Sequence, residues 1–123
     1  MKAVASKEVF DLSLKLNQVS IEMLNDCLKE AGISSKKKRE EICSRFLFSA
    51  GSFQDSMWIE SKRKKYRPVT AFKQHTGIDV PAKQILVPTA DDLPLHEVAH
   101  FEVGAFFKHG EKAPVQTGEI YDD

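Results

Sequence analysis

Two histidines and a glutamate near the C-terminus have the types and the spacing that zinc chemistry requires. The chain reads His96-Glu97-Val98-Ala99-His100, and on a helix residues four apart lie on the same face. Both imidazoles would then bind one zinc ion, and Glu97 would take a proton from the metal-bound water before that water attacks an amide carbonyl. This pentapeptide is the strongest chemical signal in the 123 residues.

The same five residues resemble the zinc helix of the metallopeptidases that carry a His-Glu-x-x-His motif. The metzincin extension is absent, because Val103 and Phe106 stand where that subgroup has a glycine and a histidine. In the gluzincin arrangement the third ligand is a glutamate about one helix further on, and Glu119 lies 19 residues beyond His100. The resemblance therefore implies zinc ligands at His96, His100 and Glu119, with Glu97 as the general base.

The segment around the pentapeptide fits a strand at least as well as a helix. As a helix it would begin at Asp92 as the N-cap and place both histidines on a polar face. As a strand over residues 95–107, its odd-numbered positions are apolar except for Glu97, which is the period of a half-buried strand. His96 and His100 would then stand about 13 Å apart, too far for one zinc ion. A strand here ends the enzyme hypothesis, and a helix keeps it open.

Composition is typical of a soluble globular protein. Hydrophobic residues make up 41% of the chain and charged residues 29%, and a chain of this length can bury roughly two-thirds of its unfolded surface in one domain. No apolar run reaches the ~20 residues that span a bilayer. The first ten residues lack the apolar core of a signal peptide, so we expect a cytoplasmic protein without membrane contact. We expect the acidic, turn-rich residues 110–123 to be partly mobile.

The two cysteines are predicted to be structural. Cys27 and Cys43 have no metal-binding spacing, and thiols in a cytoplasmic chain stay reduced. Both fall on the apolar stripes of predicted helices, which favours buried, inert side chains over nucleophiles.

The net charge of zero conceals two oppositely charged halves. Residues 1–68 carry 14 Lys and Arg against 9 Asp and Glu, for a net charge of +5, whereas residues 69–123 carry 4 against 9, for a net charge of −5. A dipolar chain of this kind can dock an acidic partner with its basic half. The alternative is that the two halves neutralise each other within the fold.

Nine of the 18 basic residues lie in two short segments, 36–39 and 62–67. With aromatic residues beside the second segment, such clusters can follow a phosphate backbone and stack a base. The alternative for 36–39 is a solvated helix face. The surface predicted to contact a partner consists of Trp58, Lys62, Arg63, Lys64, Lys65, Tyr66 and Arg67.

Two helices joined by a short turn are predicted in the first half of the chain. Ser20 is a good N-cap for a helix that ends at Gly32. Ser34 or Ser35 then caps a second helix that ends at Gly51, so the two should form an αα-hairpin.

Strands are predicted where apolar and polar residues alternate or where short apolar runs end at prolines. These segments are 9–16, for which a helix that starts further back competes, together with 66–73, 84–88 and 95–107. The fold predicted from this order is α+β, an αα-hairpin packed on a small, mainly antiparallel sheet. The predicted core consists of Phe10, Leu12, Leu14, Leu16, Val69, Phe72, Ile85, Val87, Phe101 and Val103 on the sheet and Leu24, Leu28, Ile42, Phe46 and Leu47 on the helices.

The sequence therefore favours a small, non-enzymatic protein without a cofactor that acts by binding a macromolecule, in the first instance another protein. Accessory, inhibitor and immunity proteins are often of this size. The first alternative is a minimal zinc metallopeptidase that uses residues 96–100. The second is a nucleic-acid-binding protein that uses residues 36–39 and 62–67.

Overall fold

The computed structural model describes residues 1–90 and 94–121, which contain three helices and five short strands. The helices are α1 (Glu8–Glu30), α2 (Lys36–Ser56) and α3 (Leu95–Lys108). The strands are β1 (Lys2–Ala5), β2 (Ile59–Ser61), β3 (Lys64–Tyr66), β4 (Phe72–Lys73) and β5 (Gln84–Val87). None of these helices is long and apolar enough to cross a membrane.

The strands form two small sheets that are mostly antiparallel. β5 is the central strand of the larger sheet, parallel to β1 and antiparallel to β4. β2 and β3 form a separate antiparallel pair. Together with the packed helices α1 and α2, these sheets confirm the predicted α+β class. The predicted strand at 84–88 is also confirmed, whereas the strand at 66–73 is interrupted because residues 67–71 join no ladder.

The alternating segment 9–16 belongs to α1, so the prediction of a strand there is wrong. Leu12 and Leu16 are four residues apart and share a helix face as readily as they would share a strand face. The helical period continues through all 23 residues of α1, whereas the alternation covers only eight. The longer pattern is the better guide to the secondary structure. Ser20 lies inside α1 and does not cap a helix, since its hydroxyl donates to the Leu16 carbonyl. The buried residues of α1 are Val9, Ser13, Gln18, Ile21 and Asn25.

The connection between α1 and α2 has the predicted end signals. Gly32 adopts a φ of +90° just past α1, a conformation that glycine accepts without strain. Ser35 caps α2, and its hydroxyl accepts a hydrogen bond from the backbone N–H of Lys38 at 3.2 Å. The predicted end of the second helix is wrong, because α2 continues through Gly51 to Ser56.

Residues 95–107 lie in α3, so the prediction of a strand there is wrong as well. Buried residues stand at positions 99, 102, 103, 106 and 107, the spacing of a single helix stripe. The apolar alternation misled because it counts Phe101, whose side chain is turned away from the stripe and is 79% exposed. The predicted N-cap, Asp92, lies outside the described residues, and Pro94 immediately precedes the helix.

The hydrophobic core lies between the three helices. Four residues that were predicted to belong to it are exposed instead, namely Leu16, Phe46, Val69 and Phe101. Phe46 and Phe101 lie outside the stripes that α2 and α3 bury. Cys43 is buried as predicted, and burial raises the pKa of its thiol to about 11. Cys27 is exposed, which contradicts its predicted burial. The core consists of Ile21, Cys43, Leu47, Ala99, Val103, Phe106 and Phe107, with Leu24 and Leu28 packed against it.

Gly51 allows the backbones of α2 and α3 to come close together. A Cβ atom at this position would lie 2.8 Å from the backbone nitrogen of His96 and 3.0 Å from the carbonyl carbon of Leu95. These are backbone atoms at the start of α3, and they cannot rotate away as a side chain could. A side chain at position 51 would therefore push the two helices apart.

We predict that Gly51→Ala destabilises the protein by about 1–3 kcal/mol, as overpacking does, although alanine is the better helix former. Gly104→Ala is the matched control, since nothing lies within 4 Å of the Cβ position in the middle of α3, and it should stabilise the protein by up to ~1 kcal/mol. Urea unfolding of both variants measures the difference. Equal effects of the two substitutions would contradict the close helix contact.

A buried arginine holds the α1–α2 turn and the segment after α3 together. Arg39 is only 5% exposed, and its guanidinium donates to the Asn25 side chain, to two carbonyls of the turn and to the Glu111 carboxylate. Asn25 also donates to Glu111 at 3.1 Å. The hydrogen bonds from Arg39 and Asn25 lower the pKa of Glu111 to about 2. The charge of Arg39 is thus paired, as a buried charge must be.

The Glu111 contact makes stability depend on pH. Because the pKa of Glu111 is about 2 in the folded protein and ordinarily 4.5, its stabilisation is present above pH 4.5 and is lost as the pH falls through about 2. We predict that Glu111→Gln destabilises the protein by about 1–2 kcal/mol at pH 7. The difference from wild type should shrink through that window in urea titrations at several pH values. Glu119→Gln, which removes an exposed carboxylate, is the control and should change the free energy of unfolding at pH 7 by less than about 0.5 kcal/mol.

Candidate functional site

Residues 62–65, the central part of the predicted contact surface, lie on an antiparallel hairpin. In the ladder Ile59 pairs with Tyr66 and Ser61 pairs with Lys64, and all six strand residues are exposed. Lys62 and Arg63 form the two-residue turn between the strands. We call residues 58–66 the basic hairpin, since they contain four cations and a single carboxylate, Glu60.

The turn of the basic hairpin places two long side chains in a conformation that usually selects glycine or asparagine. Lys62 has a φ of +51° and Arg63 a φ of +66°. Positive φ at both central residues is the requirement of a type I′ turn, which most often contains Asn-Gly. A residue with a Cβ atom costs on the order of 1 kcal/mol in this region. The tip thus carries two cations where the backbone favours other residues.

Both faces of the basic hairpin carry an exposed aromatic ring. The Lys65 ammonium lies 4.4 Å from the centroid of the Trp58 ring, a cation–π distance. Tyr66 follows Lys65 directly, so its side chain points to the opposite face. Trp58 is 52% exposed and Tyr66 is 54% exposed, so each ring remains available for contact.

Arg67, the last member of the predicted contact surface, is bonded to the end of α2. Its guanidinium donates to the carbonyl of Gln54 at 3.2 Å and to that of Asp55 at 3.0 Å. Cations at a helix C-terminus satisfy its free carbonyls and its negative dipole end. Thr70 adds a hydrogen bond to the Gln54 side chain. Arg67 therefore anchors the base of the basic hairpin, and the cations at positions 62–65 project beyond it.

The other basic segment, 36–39, is not part of this surface. It begins α2 at its N-terminus, whereas the basic hairpin follows its C-terminus, and a helix of 21 residues separates its ends by about 30 Å. Arg39 is also buried and bonded to Glu111. Residues 36–39 and 62–67 were predicted to act together in binding nucleic acid. The structure places them at opposite ends of α2, so they do not form one surface.

The pentapeptide lies at the start of α3, where Asp55 holds His96 in place. The Asp55 carboxylate accepts from the backbone N–H groups of Leu95 and His96 at 3.1 and 2.9 Å, and it lies 2.6 Å from Nδ1 of His96. Burial alone would raise the pKa of Asp55, but these hydrogen bonds lower it. An ionised carboxylate only accepts, so Nδ1 carries the proton, and in a neutral ring Nε2 is the atom left for a ligand.

The other residues of the pentapeptide differ in their surroundings. Phe48 on α2 stacks on the His100 ring at a centroid distance of 5.4 Å and meets the His96 ring edge-on at 5.6 Å. Glu97 is exposed. In the described part of the chain no three His, Cys, Asp or Glu side chains are grouped closely enough to hold a metal ion, so Glu119 does not join the two histidines.

A cleft of about 570 Å³ opens beside Asp55. Its walls come from the first turns of α1 and α3, the last turn of α2, the segment after β3 and the end of β5. Most of the lining is apolar, including Phe10, Val69 and Leu95. Ser13, which is 6% exposed, also lines it.

Asp55 is the residue that sequence reasoning missed. It precedes His96 by 41 positions and belongs to no motif, so no spacing rule could have found it. Comparisons with protein-family models, with curated proteins and with solved structures find no match to this chain. The chemistry of its own residues is therefore what supports a function.

Proposed function

We propose that this protein is non-enzymatic and binds an acidic macromolecule through the basic hairpin. The observation that carries the proposal is the turn at Lys62 and Arg63, where the backbone favours Asn-Gly and the chain has two cations instead. A local cost of this kind is retained where the side chains are needed for something other than folding.

The surroundings of the turn support the same function. Lys64 and Lys65 follow it on an exposed strand, and Glu60, the one carboxylate of the basic hairpin, lies opposite Lys65 in the ladder. Four cations against one carboxylate attract a negative surface and raise the rate of association. Exposed aromatic side chains beside them add contact area with little loss of conformational entropy.

We predict that Lys62→Asn/Arg63→Gly weakens binding without weakening the fold. Asn-Gly suits the type I′ turn, so the melting temperature should equal or exceed that of wild type, while two of the four cations are lost. Heparin serves as the polyanion probe. Wild-type protein should be retained on a heparin column at low salt, and the double variant should elute at clearly lower salt.

Lys36→Asn/Lys37→Asn is the matched control, because it removes the same charge from the opposite end of α2. It should elute near wild type. If both double variants lose retention equally, the overall charge of the protein and not the basic hairpin explains binding to heparin. If wild-type protein is not retained at low salt, the proposal is contradicted.

A zinc-dependent hydrolase is the second candidate, and the helical state of residues 95–107 is the observation that favours it. Residues four apart on a helix can share a metal ion, and a carboxylate bonded to Nδ1, as Asp55 is to His96, is the usual support of a histidine ligand. His96 and His100 would be the protein ligands and Glu97 the base.

We predict from this second candidate that the full chain binds one zinc ion per molecule in calorimetric titration with zinc chloride. His100→Phe should abolish binding, since it removes a ligand but keeps an aromatic ring against Phe48. His109→Phe, at an exposed position just past α3, should leave it unchanged. Absence of stoichiometric binding to wild type would remove the candidate.

A further inference from the structure

Building on the function proposed above, we propose that the acidic partner of the basic hairpin is single-stranded nucleic acid, with a base stacked on Trp58 and phosphates bound by the cations of residues 62–65. Phosphate contacts and base stacking are the two components by which proteins bind single strands without sequence preference. Both components lie within nine consecutive residues here.

The kind of cation favours phosphate over a protein surface. Three of the four cations are lysines, at positions 62, 64 and 65. Lysine is depleted in protein–protein interfaces relative to the rest of the surface, while arginine is enriched. A lysine ammonium is a compact charge on a flexible stem, and neutralising phosphates with such charges releases counterions from the nucleic acid.

The position of Trp58 favours unpaired bases over a duplex. Its ring is about half exposed, and it lies 4.4 Å from the Lys65 ammonium. The ammonium lies over one face of the ring, so a base would stack on the other face or displace the ammonium onto its own phosphate. Bases of a duplex are already stacked on each other, so they present only their edges in the grooves. A single strand can place the face of a base on the ring.

The size of the basic hairpin sets the expected binding strength. Each strand has three residues and spans about 10 Å, which allows contact with a few nucleotides. If all four cations neutralise phosphates, log K should fall with log salt with a slope of about −2.8 for a single strand. Binding should therefore be weak at physiological salt and clear at low salt.

The test is a titration of the full chain with the oligonucleotide dT12 over a series of NaCl concentrations. Trp58 is the only tryptophan, so intrinsic fluorescence reports on the proposed stacking site directly. We expect saturable quenching with dT12 and a salt slope near −2.8. A 12-base-pair duplex should bind without comparable quenching, and poly-glutamate of similar charge should bind less tightly than dT12.

Variants separate stacking from charge when binding is followed by the anisotropy of labelled dT12. Trp58→Ala should weaken binding about tenfold to a hundredfold and leave the salt slope unchanged. Lys62→Asn/Arg63→Gly should reduce the slope to about −1.4. Lys36→Asn/Lys37→Asn should change neither quantity.

Three outcomes would overturn the inference. If the duplex binds as tightly as dT12 and dT12 does not quench Trp58, the basic hairpin binds polyanions without stacking a base. If poly-glutamate binds more tightly than dT12, the partner is an acidic protein. Both results leave the proposed function intact. Failure of dT12, poly-glutamate and heparin to bind at low salt would overturn the proposed function as well.

Discussion

The contact between the end of α2 and the start of α3 is the constraint on which the rest of the structure depends. Gly51 lets the two backbones approach within a distance that any side chain would prevent, and Asp55, one helical turn later, accepts from the first backbone N–H groups of α3. A carboxylate at a helix N-terminus satisfies groups that would otherwise lack partners. Once α3 is held there, its stripe from Ala99 to Phe107 completes the core against α1 and α2.

That contact also determines what the pentapeptide can do. Docking α3 engages Nδ1 of His96 with Asp55 and places both histidine rings against Phe48. The same geometry therefore caps α3 and orients the His96 ring. Among the described residues no third His, Cys, Asp or Glu side chain is grouped with the two histidines closely enough to hold a metal ion.

Two buried polar contacts lock α1 to the other helices without belonging to either candidate site. Gln18 donates to the carbonyl and to the carboxylate of Glu102, and burial raises the pKa of that carboxyl group although the Gln18 bond lowers it in part. Arg39 joins Asn25 to Glu111. Each buried donor of these contacts finds an acceptor, whereas Oε1 of Gln18 and Oε1 of Glu102 are buried without a hydrogen-bond partner among the described residues. The contacts that do form specify how the helices meet. No residue of the basic hairpin belongs to the hydrophobic core. Cations at its tip therefore cost the core no packing.

Local signals in the sequence determined the α+β class, the stop at Gly32, the strand at 84–88 and the clustering of cations at 62–65, and they narrowed the cap of α2 to Ser34 or Ser35. Each of these depends on neighbours within a few residues, so composition and spacing suffice to find it. Only the tertiary structure decided that residues 9–16 and 95–107 are helical, because their short alternating patterns fit two periods and packing selects one. It alone paired Asp55 with His96 across 41 residues and separated residues 36–39 from the basic hairpin, since the distance between remote segments is set by how the helices pack.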